Sequence, residues 1–149
     1  MAVSIIGAGE SPYTRHPQPG TTTSGTLVDA VCRALKDAGL SPNDVDGFAV
    51  SSFTLDPDHA IDLAWRMGLK LTWLMQDTNG GASAGNMLQH AVHAIEAGDA
   101  SVVVLAAGDL MDHGAFANLV AKYNRATADH LTPLPMSRPN APFAMVTNR

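Results

Sequence analysis

The sequence predicts an α/β fold with crossover connections and largely parallel strands, on three observations. Apolar runs of strand length alternate along the chain with stretches of helical spacing. The run from Ser101 to Ala107 is apolar on both faces, a pattern that suits a strand buried between two layers. The stretch from Met75 to Gly85 reads as strand, glycine-rich turn and helix start, which is how a crossover begins.

In chain order, Val3-Ser4-Ile5-Ile6-Gly7 is a short β-rich run and is predicted as a buried first strand. Pro12, Pro17, Pro19 and Gly20, followed by Thr21-Thr22-Thr23-Ser24, break regular structure and predict a loop. Leu27, Ala30, Val31, Ala34, Leu35 and Ala38 then recur at the spacing of an amphipathic helix, stopped by Gly39. Ser41-Pro42-Asn43-Asp44 is a turn with a capping-box pattern, and Gly47 to Phe53 reads as the second strand. Asp56-Pro57-Asp58 is a helix start, with proline near the first helical position and an acid in the first turn, and Gly68 ends that helix.

The alternation from Lys70 to Gln76 predicts a third strand, and Asp77-Thr78-Asn79-Gly80-Gly81 a tight turn after it. A long helix follows, with Ala84, Met87, Leu88, Ala91, Val92 and Ile95 as its apolar stripe and Gly98 as its end, and then the strand 101–107. Beyond Gly108, Asp112 to Tyr123 has helical spacing through Phe116, Leu119 and Val120. Pro133, Pro135, Pro139 and Pro142 predict an irregular segment, and Phe143 to Arg149 reads as the opening of another element.

Composition limits the partners. The chain has 149 residues and a formal charge of -5, with no basic cluster, so neither a nucleic-acid groove nor an anionic membrane surface is predicted. No apolar run approaches the roughly 18 residues of a membrane span, the start lacks a signal-peptide pattern, and a single cysteine rules out an internal disulfide; a cytoplasmic protein is expected. Charged residues make up only 15% against an ordinary share of about 25%. That shortage predicts a surface partly covered by another chain or by a part of the polypeptide absent from this sequence.

The stretch Asn79-Gly80-Gly81-Ala82-Ser83 is the main candidate site. A strand there delivers the backbone to a helix start crowded with small residues, where unpaired N–H groups and the positive dipole end suit a thiolate, oxyanion, carboxylate or phosphate. Close packing of helix on sheet accounts equally for the same small residues. Ser83 has no neighbouring base and reads as a helix-start hydroxyl. Cys32 lies about 140° round its helix from Leu27, outside the apolar stripe, and reads as structural. His90 and His93 have a metal-compatible i, i+3 spacing without a third ligand, so no metal is predicted. His16 and His59 carry no partner signal, and Gly7-Ala8-Gly9 lacks the third glycine and the following acid of a dinucleotide loop.

The segment from Gly80 through Ala94-Ile95-Glu96-Ala97-Gly98-Asp99-Ala100 into Val102 to Gly108 resembles the nucleophile turn, helix and strand of the thiolase superfamily. It is most similar to sterol-carrier-protein-type thiolases and to thiolase-like aldolases of steroid side-chain degradation. Val3 to Ser11, Thr26 to Asp46 and Tyr123-Asn124-Arg125-Ala126-Thr127 match the same pattern. The resemblance implies most of an N-terminal half: a mixed sheet with crossover helices in residues 1–108, and in 109–149 the start of a loop region that covers acyl-CoA. It implies an acyl-CoA substrate without a further cofactor, and acyl transfer or C–C bond cleavage in lipid or steroid metabolism. It also implies a homodimer or higher oligomer, with the strand from Lys70 to Gln76 at the interface, or a complex with an OB-fold partner protein.

Within that resemblance the acyl-accepting cysteine falls on Gly81, so no catalytic residue is supported in this chain, and the general-base histidine and second cysteine belong to the other half. Asn79, Gly80, Gly81, Ala82 and Ser83 remain as ligand-binding candidates, with Tyr123, Asn124 and Arg125 as pocket lining beside His113 and His130. Lys122 and Arg125 could meet CoA phosphates or form an ordinary solvated helix face. An aldolase component acting with a partner and a non-catalytic scaffold are the alternatives to an acyltransferase, and the isolated chain is expected to be inactive.

Overall fold

A computed structural model of the chain describes residues 2–55 and 59–131, the side chains of 123–131 excepted. The chain divides into two compact units, residues 1–110 and 111–149. In the first, α1 (Thr23–Ala38), β1 (Gly47–Ser51), α2 (His59–Met67), β2 (Trp73–Gln76), α3 (Ser83–Ala97) and β3 (Val103–Ala107) follow one another. The second contains α4 (His113–Leu131). The predicted helix start at Asp56-Pro57-Asp58, the proline-rich segment and the closing element at 143–149 lie outside the described residues.

The three strands form one wholly parallel sheet in the order β2-β1-β3. Each pairing therefore needs a crossover, which α2 and α3 help supply. Period two along β1 sends Phe48 and Val50 to one face and Gly47 and Ala49 to the other. On the first face they join Leu27, Val31 and Leu35 of α1 and Leu55, Ala60 and Leu63 in the main core. α3 brings Met87, Ala91 and Ala94 to the sheet outside that cluster, covering the face where β1 presents the small residues Gly47, Ala49 and Ser51. Small residues suit this face because they let the helix lie close.

Local chemistry sets the helix ends. The Thr22 hydroxyl accepts from the Gly25 N–H at the start of α1, and Gly39, at φ +70°, closes it with N–H bonds to the carbonyls of Leu35 and Lys36. Gly98 does the same for α3 at φ +82°. Asp46 ties the lower end of the sheet, accepting from the Ser101 and Val102 N–H groups that lead into β3.

The predicted first strand is corrected by the structure. Residues 3–7 form no strand and pair with none among the described residues. Their stretch is held to α1 instead: a Cβ on Gly7 would lie 2.6 Å from the Ala34 carbonyl oxygen, one on Gly9 would overlap the Ala34 nitrogen, and the Ala8 N–H donates to Asp37 at 3.0 Å. The two glycines of Gly7-Ala8-Gly9 are thus close-packing residues. The other strands are shorter at their ends than predicted, as expected for residues that run past their partners.

Candidate functional site

In a parallel sheet ligands collect at the carboxyl ends of the strands, where the helix starts also lie. Here that end carries Ser52 to Leu55 after β1, residues 77–83 after β2, and Gly108 and Asp109 after β3. Asp109 binds the first of these to the third: one of its oxygens accepts from the Ser52 hydroxyl, the Phe53 and Thr54 N–H groups and the Thr54 hydroxyl. Thr54 in turn bonds Thr23, at the start of α1, at 2.9 Å.

The turn after β2 is organised by Asp77, only 3% exposed. Its carboxylate accepts from the Ser83 hydroxyl, from the Asn79 N–H at 2.8 Å, from the Asn79 amide at 3.1 Å and from the Asn86 amide. The Ser83 hydroxyl first, then the Asn79 N–H and the Asn86 amide, hold its pKa well below the usual 3.8, at about 2. Asp77 is therefore ionised throughout the physiological range and cannot move protons there. Ser83 is 2% exposed and its hydroxyl donates to Asp77. Gly80 to Ala82 form a short 3-10 turn and lead into α3 with Ala82 as N-cap, so no side chain caps that helix. Gly80 stands at φ +60°, where glycine carries no steric cost.

Gly81 does not have this constraint. Its φ lies outside the left-handed region, and an added Cβ would meet nothing within 4 Å, as at Gly85 one helical turn on. The turn is thus open to one side at the position where the resemblance puts a cysteine. Among the described residues nothing steric excludes a side chain there.

The structure brings Asn79, Gly80, Gly81, Ala82 and Ser83 together around Asp77. Tyr123, Asn124 and Arg125 fall within α4, in the second unit, and their side chains lie outside the described residues, as does that of His130. His113 and Lys122 are exposed on α4, His90 and His93 on α3, and Cys32 on α1. Sequence reasoning missed Asp77 and Asn86 as the polar centre of the turn. The signals were present: Asp77-Thr78-Asn79 is an Asx-turn pattern, and Ser83 and Asn86 share one helix face at i, i+3.

No family model matches the chain. It is 37% identical over 102 residues to 17-hydroxy-3-oxo-4-pregnene-20-carboxyl-CoA lyase of Mycobacterium tuberculosis, a match covering 68% of this chain and 25% of that one. It is 34% identical over 104 residues to the steroid side-chain-cleaving aldolase of Thermomonospora curvata, covering 69% and 26%. Among solved structures the Ltp2-ChsH2(DUF35) aldolase superposes with a TM-score of 0.69 at 29% identity, over 95% of this chain and 35% of that one. The 3-oxoacyl-[acyl-carrier-protein] synthase III of Aquifex aeolicus superposes at 0.54 with 19% identity, over 64% and 34%, a likeness of fold. The fold is thiolase-like. Within that class the chain is a relative of the steroid side-chain-cleaving aldolases, and it spans about a quarter of the length of the two it matches.

Proposed function

We propose that this chain forms the N-terminal part of an aldolase that cleaves a C–C bond in a steroid side-chain acyl-CoA, without an acyl-enzyme and together with a partner protein. The observation that carries the reading is Gly81: the helix start that would present a nucleophile has room for one and carries none. Aldol cleavage does not need one. In a β-hydroxy acyl-CoA a base takes the hydroxyl proton, the Cα–Cβ bond breaks to leave a ketone, and the electron pair becomes a thioester enolate that is then protonated at Cα.

The dipole of α3 supports the thioester carbonyl oxygen at the glycine-rich turn as it gains charge, while the Ala82 and Ser83 N–H groups are already taken by the carbonyls of Asn79 and Gly80. The substrate class follows the names of the relatives, both of which act on steroid side chains or a steroid carboxyl-CoA. A partner protein is supported by the two-component aldolase that superposes on 95% of the chain. A subunit contact on the side of α2 and β2 is supported by the edge of β2 that no described residue pairs with and by exposed Trp65, Ile61 and Leu74.

The test is cleavage of a 17-hydroxy steroid carboxyl-CoA by a full-length aldolase that carries this chain as its N-terminal part, with and without a DUF35-type partner, followed by mass spectrometry of the products. A ketosteroid and a shortened acyl-CoA formed by the assembled pair are expected. Turnover to an acyl-transfer product, or an assembled pair that leaves the substrate intact, would overturn the proposal.

A further inference from the structure

One buried carboxylate grips both ends of the glycine-rich turn. Through one oxygen Asp77 accepts from the Asn79 N–H at 2.8 Å and from the Ser83 hydroxyl, and through the other from the side-chain amides of Asn79 and Asn86. Asn79 stands on the turn, and Ser83 and Asn86 on the first turn of α3. Between these ties lie Gly80, Gly81 and Ala82, none of which has a side chain able to hold the backbone. The N–H groups of Ala82 and Ser83 bond the Asn79 and Gly80 carbonyls, whereas those of Gly80 and Gly81 meet no acceptor among the described residues. Gly80 is half-buried and Gly81 exposed.

Two consecutive glycines have more backbone freedom than any other pair of residues. Donors help a developing oxyanion only when they are already in place as the charge forms, so a turn of this composition needs a restraint from outside itself. Asp77 supplies one: the Asn79 N–H closes the entry to the turn, and the Ser83 and Asn86 side chains fasten its exit to α3. At 3% exposure the carboxylate is set to hold the turn and to stay out of the substrate's reach. A negative charge close to a forming enolate slows its formation, so a benefit from Asp77 comes through its hydrogen bonds.

We infer that Asp77 is a positioning residue for the cleavage proposed above: through Asn79, Ser83 and Asn86 it holds the Gly80 and Gly81 N–H groups where they meet the thioester carbonyl oxygen. The inference rests on that reading of the reaction and adds what fixes its electrophilic side. Asp77 gives and takes no proton in the reaction; it acts on the enolate through the shape of the turn.

Two substitutions separate hydrogen bonding from charge. Asp77→Ala removes all four bonds, whereas Asp77→Asn keeps the oxygen shared by the Asn79 N–H and the Ser83 hydroxyl, and its new amide can donate to Asn79 and Asn86 once their amides turn over. The assay uses a full-length aldolase that carries this chain as its N-terminal part, its DUF35-type partner and a 17-hydroxy steroid carboxyl-CoA, with rates taken per folded protein by circular dichroism. Asp77→Ala is expected to lower kcat at least about tenfold with KM within about threefold, and Asp77→Asn to stay within about threefold of wild type. Gly7→Ala, which loosens packing against α1, is the stability control and should leave kcat within about twofold. If Asp77→Ala does not fold, the double variant Ser83→Ala with Asn86→Ala frees the exit of the turn and should show the same loss. An undiminished kcat in the folded variant, a loss carried wholly by KM, an equal loss in Gly7→Ala, or Asp77→Asn as slow as Asp77→Ala would each overturn the inference while the cleavage reading stands. A wild-type pair that leaves the substrate intact would overturn that reading, and this inference with it.

Discussion

A cysteine side chain introduced at Gly81 separates the two accounts of this turn, one steric and one chemical. An added Cβ meets nothing within 4 Å there, whereas at Gly7 it meets the Ala34 carbonyl oxygen at 2.6 Å and the Ala38 nitrogen at 2.9 Å, both rigid helix backbone. Gly81→Ala should therefore change stability by less than about 0.5 kcal/mol. Gly7→Ala should cost about 1–3 kcal/mol as residues 3–9 are forced off α1. Urea unfolding followed by circular dichroism measures both. With stability secured, Gly81→Cys in a Cys32→Ser background should be alkylated by iodoacetamide like an ordinary exposed thiol. Adding Asp77→Asn should speed that reaction, because removing the charge lets the α3 dipole favour the thiolate. A costly Gly81→Ala, or a buried unreactive thiol, would refute the openness of the turn; an unchanged rate after Asp77→Asn would refute the electrostatic role given to Asp77.

Acid should weaken the fold through Asp77. A carboxylate whose folded pKa lies below its unfolded value adds stability that is complete above the usual 3.8 and is lost as pH falls through about 2. The same sign holds for Asp44, lowered by the Ser41 hydroxyl and N–H, and for Asp46, where burial pushes upward and the Val102 and Ser101 N–H groups together outweigh it. Stability measured from pH 6 to about pH 2 should fall, and Asp77→Asn should flatten the curve; an unchanged slope would show that the turn contributes nothing to it. Phe48→Ala, on the central strand at 0% exposure, should cost about 3–5 kcal/mol in urea melts, and a cost below about 1 kcal/mol would place the core elsewhere. Trp65→Ala, at 84% exposure, should leave the stability of the isolated chain within about 0.5 kcal/mol while weakening assembly in sedimentation runs, and unaltered assembly would remove the α2 side as a contact.

The α/β class and its crossover helices were legible because each helix carries its apolar face at regular spacing and each ends at a glycine with a mechanical reason to be there. The first strand was misread for an instructive reason. Val3-Ser4-Ile5-Ile6-Gly7 has the composition of a strand, yet pairing needs a neighbour, and the space between it and β3 is a cavity. Composition reports what a segment can do and says nothing of whether its partner is at hand. At the site, the glycine-rich turn was legible as a helix start, while Asp77 was hidden because its partners lie two, six and nine residues away and converge only once the helix forms. The glycines at 7 and 9 lack the remaining residues of a nucleotide loop, and their distances to α1 show a packing contact instead.

Mass spectrometry of the intact protein during turnover of a steroid β-hydroxy acyl-CoA, with the partner protein present, bears most directly on the claim that cleavage proceeds without covalent attachment. Products should accumulate while the mass of this chain stays unchanged in acid-quenched samples. An increment equal to an acyl group on this chain, appearing with turnover and decaying as substrate is consumed, would contradict it.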